Sequence, residues 1–161
     1  MAHRHSAGDY NARRAECERA AALLGVPKLR DASQADLARV AALPEPLNRR
    51  ARHVITENAR VLAAVEAMRS ADLVRLGQLF NASHDSQRDD YDVSIPEIDL
   101  LVELARQNHP VYGARLTGGG FGGSIVLLAR GGEGRAVAQR IVDAYSKRTG
   151  AHATVLVPPP E

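Results

Sequence analysis

Cysteine is all but missing from this chain of 161 residues, Cys17 being the only one. No intramolecular disulfide can form, and a single thiol set among alanines reads as a small buried apolar side chain in a reducing compartment. Long apolar runs are missing too. Nowhere do 18 consecutive apolar residues occur, and the first residues lack the apolar core of a secretory signal. Neither secretion nor membrane spanning is therefore expected, and the default location is the cytoplasm. Lysine is scarce, two residues against nineteen arginines, and the formal charge is only +2 with no concentrated positive tract. Nucleic acid is not implied as a partner.

The rest of the composition, 45% apolar and 25% charged, is enough for one ordinary buried core in a chain about one domain long. Helical signals fill the first two thirds. The segment Asn11 to Leu24 has a helix-forming background and is stopped by Gly25 and Pro27. Ser33 with Asp36 reads as an N-cap with an acidic third position, opening a short helix through Leu37, Val40 and Ala41 that Pro44 closes. Leu47, Ala51, Val54, Ile55, Asn58, Val61, Leu62, Val65 and Met68 recur at three- and four-residue steps, which predicts one apolar stripe on a helix from about Pro46 to Met68. A helix from Asp72 to about His84, carrying Leu73, Leu76, Leu79 and Phe80, completes an antiparallel hairpin with it. Ser94, Ile95, Pro96 and Glu97 read as a capping box for a further helix that runs out near Asn108.

The character then changes. Val111 to Thr117 and Gly123 to Ala129 read as strands, Gly134 to Lys147 as a helix, and Ala153 to Val157 as a last strand before a frayed tail from Pro158 to Glu161. The fold class is α+β: helices over about 10–108, then a small, mainly antiparallel sheet with a packed helix over about 111–157, in one domain.

Between the two strands lie Thr117, Gly118, Gly119, Gly120, Phe121, Gly122, Gly123 and Ser124. Five glycines around one phenylalanine are costly to order, and a packed domain keeps them where the backbone takes positive φ or closely approaches something else, such as a ligand; a plain hairpin connection is the alternative. Gly118, Gly120 and Gly123 match G-x-G-x-x-G, but that fingerprint must open a helix, and a β-branched run follows here. A P-loop needs lysine after the last glycine, and this chain has Ser124. Phe121 is expected to pin the loop to the core. Thr117 and Ser124 offer hydroxyls that either face a ligand or bond locally to the backbone.

Asp89, Asp90 and Asp92 lack the glycine and distant glutamate of a calcium loop, so they read as a solvated turn or as cap partners and no metal site is expected. His3 and His5 stand only as a pair at the chain start. His53, His84, His109 and His152 are too dispersed to argue a site, and Ser83, His84 and Asp85, as chain neighbours, point apart and form no triad.

Taken together the motifs resemble a known family. The run Gly113, Ala114, Arg115, Leu116 to Gly123 is similar to the third signature motif of GHMP kinases, in the form with an interrupting aromatic that galactokinases carry. The resemblance extends to Tyr10 through Glu18, to Leu24–Gly25–Val26 with Leu29–Arg30–Asp31, to Arg49 through Val54 with Glu57, and to Ser83, His84, Arg88, Asp89, Asp90, Tyr91, Val93, Ser94, Pro96, Glu97 and Asp99, nearly the whole chain.

What the resemblance implies is phosphoryl transfer from ATP, with Mg2+, to the anomeric hydroxyl of galactose or a related sugar such as N-acetylgalactosamine. It places the Tyr10 hydroxyl against the sugar, where the alternative is a ring packed onto the first helix. It places the loop Thr117 to Ser124 beside phosphate and sugar, its backbone amides as donors. Arg13 and Arg14 are expected to be structural or surface groups. The family's sugar-binding carboxylates, its longer phosphate loop and its catalytic aspartate lie upstream of the segment at Tyr10, and none is found here. The chain thus resembles the C-terminal two-fifths of a galactokinase, holds no catalytic residue itself, and needs the N-terminal half as partner. A different class of reading is a sugar-sensing or protein-interaction module that kept the fold without the chemistry, as a homodimer covering its apolar surface.

Overall fold

The computed structural model describes residues 6–156. Helix α1 spans Ser6–Leu24, beginning five residues before the predicted start at Asn11 and stopping where Gly25 takes φ 72°. Ser33 caps a 3-10 turn, Gln34–Asp36, as its capping box predicts, and α2, Leu37–Ala41, follows directly. Helix α3, Leu47–Arg69, carries Leu47, Ala51 and Ile55 into a core with Ala20, Ala21 and Leu24 of α1 and Val40 of α2.

The second half of the α3 stripe departs from expectation, since Val61, Leu62 and Met68 are exposed. Elements α1 and α2 cover only the first turns of α3. Its last turns instead turn Ala63, Ala64 and Ala67 toward Leu76, Leu79 and Phe80 of α4, Leu73–Ser86, small side chains that let the two helices of the hairpin approach closely. None of the described helices is long and apolar enough to cross a membrane.

After α4 the chain widens into a π-helical turn, Gln87–Tyr91, and reverses at Asp92, which sits in the left-handed region at φ 58°, ψ 51°. Helix α5, Pro96–Arg106, has its expected proline in the first turn, but Ser94 is not its cap. Ile95 occupies that position with an extended backbone, and the Ser94 hydroxyl donates instead to Asp99 Oδ1 at 2.6 Å. Strands β1, Val111–Thr117, and β2, Ser124–Ala129, pair antiparallel, with Thr117 opposite Ser124 at the loop end, and α6, Gly134–Thr149, packs Val137, Ile141 and Tyr145 against Val102 and Ala105 of α5 and Ala114 of β1.

The predicted last strand does not form over Ala153–Leu156, and Val157 with the tail from Pro158 lies outside the described residues. Alternating burial is present there, but a strand exists through its ladder, and the sheet is two-stranded. Leu156 is left 82% exposed.

The free edge of β1 is covered by helix α4. Gly77, Asn81 and His84, at helical spacing, face it. A Cβ on Gly77 would lie 2.6 Å from Tyr112 Cβ, and one on Gly113 would lie 2.7 Å from Gly77 Cα, so backbone rests on backbone. One and two turns on, Asn81 Oδ1 accepts the Ala114 amide at 3.0 Å and His84 Nδ1 accepts the Leu116 amide at 3.3 Å. Two side chains thus replace a third strand. Asn81 Oδ1 also accepts from Arg106 Nε at 3.0 Å, so Asn81→Leu strands the buried Ala114 amide and removes one of the Arg106 hydrogen bonds; unfolding in urea should show a loss of about 2 kcal/mol.

Candidate functional site

In the connection between β1 and β2, Gly118, Gly120, Gly122 and Gly123 all take positive φ, between 84° and 124°, and Phe121 joins them at 59°. Alanine would be strained at each of these glycines. The loop is followed by a strand and not by a helix, as the dinucleotide fingerprint would require. Phe121 packs partly buried against the cluster of Val93, Ile98 and Leu116, pinning the loop as expected.

One backbone contact fixes it further. The Phe121 amide donates to the Val93 carbonyl at 2.7 Å, and a Cβ on Gly120 would come within 2.6 Å of Val93 Cβ. Among the described residues, no backbone carbonyl outside the strand ladder and no side chain accepts from the amides of Gly118, Gly119, Gly120 or Gly122. The Thr117 and Ser124 side chains are exposed and make no local backbone bond either. The loop therefore leaves several N–H and O–H donors uncommitted, groups that can bond phosphate or hydroxyl oxygens.

Tyr10 is 57% exposed, so its ring does not pack onto α1 as a staple. It stands one turn before Arg13, on the face of α1 that reaches the chain reversal: Arg13 Nη2 donates to Asp92 Oδ2 at 3.1 Å and Nε to the Asp92 carbonyl at 3.4 Å. Asp92 precedes Val93, the loop's anchor. Arg13, one turn after Tyr10, thus ties α1 to the segment that anchors the loop. Arg14 pairs with Glu18 on the surface.

The acidic run is neither a metal cage nor simply solvated, because each carboxylate goes to arginine. Asp89 binds Arg88 at 2.7 Å, Asp90 binds Arg52, and Asp92 is shared by Arg13 and Arg50. Among the described residues no three His, Cys, Asp or Glu side chains gather as a cation site. Arg50, only 3% exposed, was not legible as a key residue: it also donates to Glu16 Oε2 at 2.8 Å and to the Asp90 carbonyl at 2.6 Å. Burial pushes the Glu16 carboxyl up, but hydrogen bonds from Arg50 and Arg13 outweigh it and hold the group below its ordinary range.

A second carboxylate lies under β1. Glu57 accepts from Ser83 at 2.6 Å and Arg60 at 2.6 Å, with Arg115 of β1 at 3.4 Å. Burial opposes its ionisation, yet those two bonds prevail and lower its pKa. His53 stacks on Tyr91 with centroids 4.5 Å apart and shares a 2.9 Å hydrogen bond with Ser86. Cys17, half-buried beside Tyr91, has its thiol pushed up by burial, which disfavours the thiolate. His84 lies between α4 and α5, where a shallow groove opens beside Asp99 and Arg106. Its Nδ1 accepts the Leu116 amide, so Nε2 carries the proton; Nε2 is 3.2 Å from Asp99 Oδ1 but off the hydrogen-bond direction. A histidine so placed supports the sheet edge and cannot offer a metal a lone pair.

A helical layer, a helix-covered two-stranded sheet and a glycine loop at its tip define a class. Residues 64–148 match the family of GHMP kinases, C terminal, and the chain belongs to that family. Within it, the chain is similar to galactokinases. It is 50% identical over 155 residues to the galactokinase of Haemophilus influenzae, covering 93% of this chain and 40% of that protein. Against the galactokinase of Mannheimia succiniciproducens it is 51% identical over 148 residues, 89% of this chain and 38% of that one. Among solved structures, Lactococcus lactis galactokinase complexed with galactose superposes with a TM-score of 0.84 at 34% identity, over 91% of this chain and 39% of that one. L. major mevalonate kinase in complex with R-mevalonate superposes with a TM-score of 0.51 at 33% identity, over 68% of this chain and 32% of that one. The chain spans about 40% of the length of the curated relatives it matches.

Proposed function

We propose that this chain is the C-terminal part of a galactokinase and serves phosphoryl transfer from ATP to the anomeric hydroxyl of galactose, or of a related sugar, in the cytoplasm and together with the N-terminal half of such a kinase. The observation that supports the reading is the set of uncommitted amides at Gly118, Gly119, Gly120 and Gly122, in a loop anchored on the Val93 carbonyl.

Bound ATP would supply the phosphoryl group and Mg2+ would offset its charge. The chain's own part is to bind and orient. The loop amides donate to phosphate or sugar oxygens from a backbone already held in its left-handed conformation, so little reorganisation is needed on binding. Thr117 and Ser124 add hydroxyls at the loop ends. The Tyr10 phenol, which both donates and accepts, meets a sugar hydroxyl. No residue here is assigned the proton transfer, and carboxylates for the sugar and the cation belong to the other half.

The test is a chimera in which this chain replaces the corresponding C-terminal segment of the Haemophilus influenzae galactokinase, assayed for ADP release with galactose. Turnover is expected, and Tyr10→Phe in that chimera should raise KM for galactose roughly tenfold, the worth of one hydrogen bond to a polar substrate. A folded chimera that binds galactose and releases no ADP would instead favour the sugar-sensing reading.

A further inference from the structure

The glycine loop rests on the backbone of Val93, and Val93 is held by the residues just before it. Four charged side chains converge there from three parts of the chain: Arg13 and Glu16 from α1, Arg50 from α3, and Asp92 from the reversal after the π-helical turn. Arg13 Nη1 donates to Glu16 Oε2 at 2.6 Å, Arg50 Nε to the same oxygen at 2.8 Å, and Nη2 of each arginine to Asp92 Oδ2 at 3.1 Å. Two positive and two negative groups close a neutral ring, and Arg50 Nη1 caps the carbonyl of Asp90 at the end of the turn.

The ring holds Asp92 in a left-handed backbone conformation, one that aspartate enters more readily than most non-glycine residues. That conformation directs the chain into Val93, whose amide donates to the Gln87 carbonyl at 3.1 Å and whose carbonyl accepts the Phe121 amide at 2.7 Å. We infer that the Arg13–Glu16–Arg50–Asp92 ring positions the glycine loop through the Val93 carbonyl. Arg50 and Asp92 are positioning residues, and their bearing on phosphoryl transfer rests on the function proposed above. The same ring joins α1, which carries Tyr10, to the segment that anchors the loop.

Residue-resolved amide exchange by NMR on this chain tests the inference without any activity measurement. Asp92→Asn keeps the size and left-handed tendency of the side chain but removes the charge shared by two guanidiniums. Exchange at the Phe121 amide should quicken about tenfold or more, while the Ile141 amide of α6 keeps its wild-type rate. Arg50→Lys should act in the same direction, and if that variant does not fold, Asp92→Asn decides. Unchanged Phe121 exchange, exchange that quickens only in step with Ile141, or no Phe121 protection in the unaltered chain would each overturn the inference. An inactive chimera would sink the kinase reading and leave this measurement as it stands.

Discussion

Gly113→Ala should remove most of the stability of the chain, at least about 3 kcal/mol, seen as a large fall in the urea midpoint with the slope unchanged. The added methyl meets the Gly77 backbone, lying 2.7 Å from its Cα and closer still to its carbonyl. No rotamer relieves a clash between a Cβ and a main chain. Helix α4 must move off β1, and its displacement unseats Asn81 and His84 from the amides of Ala114 and Leu116. Overpacking is thereby joined by two unsatisfied buried donors. Gly77→Ala should do the same from the other side, whereas alanine at Gly131, which has open space around it and an ordinary φ, should change little. A near-neutral Gly113→Ala would mean that α4 does not lie on the edge of β1.

Local chemistry made much of this fold legible. Gly25 ends α1, the Ser33 box opens its turn and Pro96 begins α5, since each acts through its own few neighbours. The glycine loop was legible for the same reason, its density having only a few uses. Whatever depended on distant partners was not. Gly77 and Gly113 are single glycines within a regular helix and a regular strand, a signal of close backbone approach that becomes specific only once the two elements meet. Asn81 and His84 read as scattered polar residues until β1 is laid beside them. Arg50 is one of nineteen arginines, and its burial follows from Glu16 and Asp92, 34 and 42 residues away. The apolar run at Ala153–Leu156 failed in the opposite way, because its strand-like residues find no ladder.

Acid should weaken the fold well before its carboxylates protonate. Burial is the main cause that lowers the His53 pKa, from 6.5 to about 4, with Glu57 and Asp90 opposing it and Arg60 and Arg115 adding to it. His84 is lowered as well, again chiefly by burial and against Asp99. Both are neutral in the native state at pH 7, and the unfolded chain takes up their protons first. A group with its folded pKa depressed gives stability that is complete above the unfolded value and is lost as pH falls toward the folded one. For His53 alone the loss is about 2 kcal/mol by pH 5 and about 3 kcal/mol when fully developed. Below about pH 4.5 Glu16 and Glu57, both held low in the folded chain, extend the decline. Urea unfolding at half-unit steps from pH 7.5 to 4 should therefore fall steadily below pH 6.5. His53→Phe keeps the ring against Tyr91 without a titrating nitrogen, so its curve should fall less steeply over the same interval, whatever stability the lost Ser86 bond removes at pH 7. Stability that stays level from pH 7 to 5, or parallel curves for the two proteins, would mean that His53 is not held neutral between α3 and the π-helical turn.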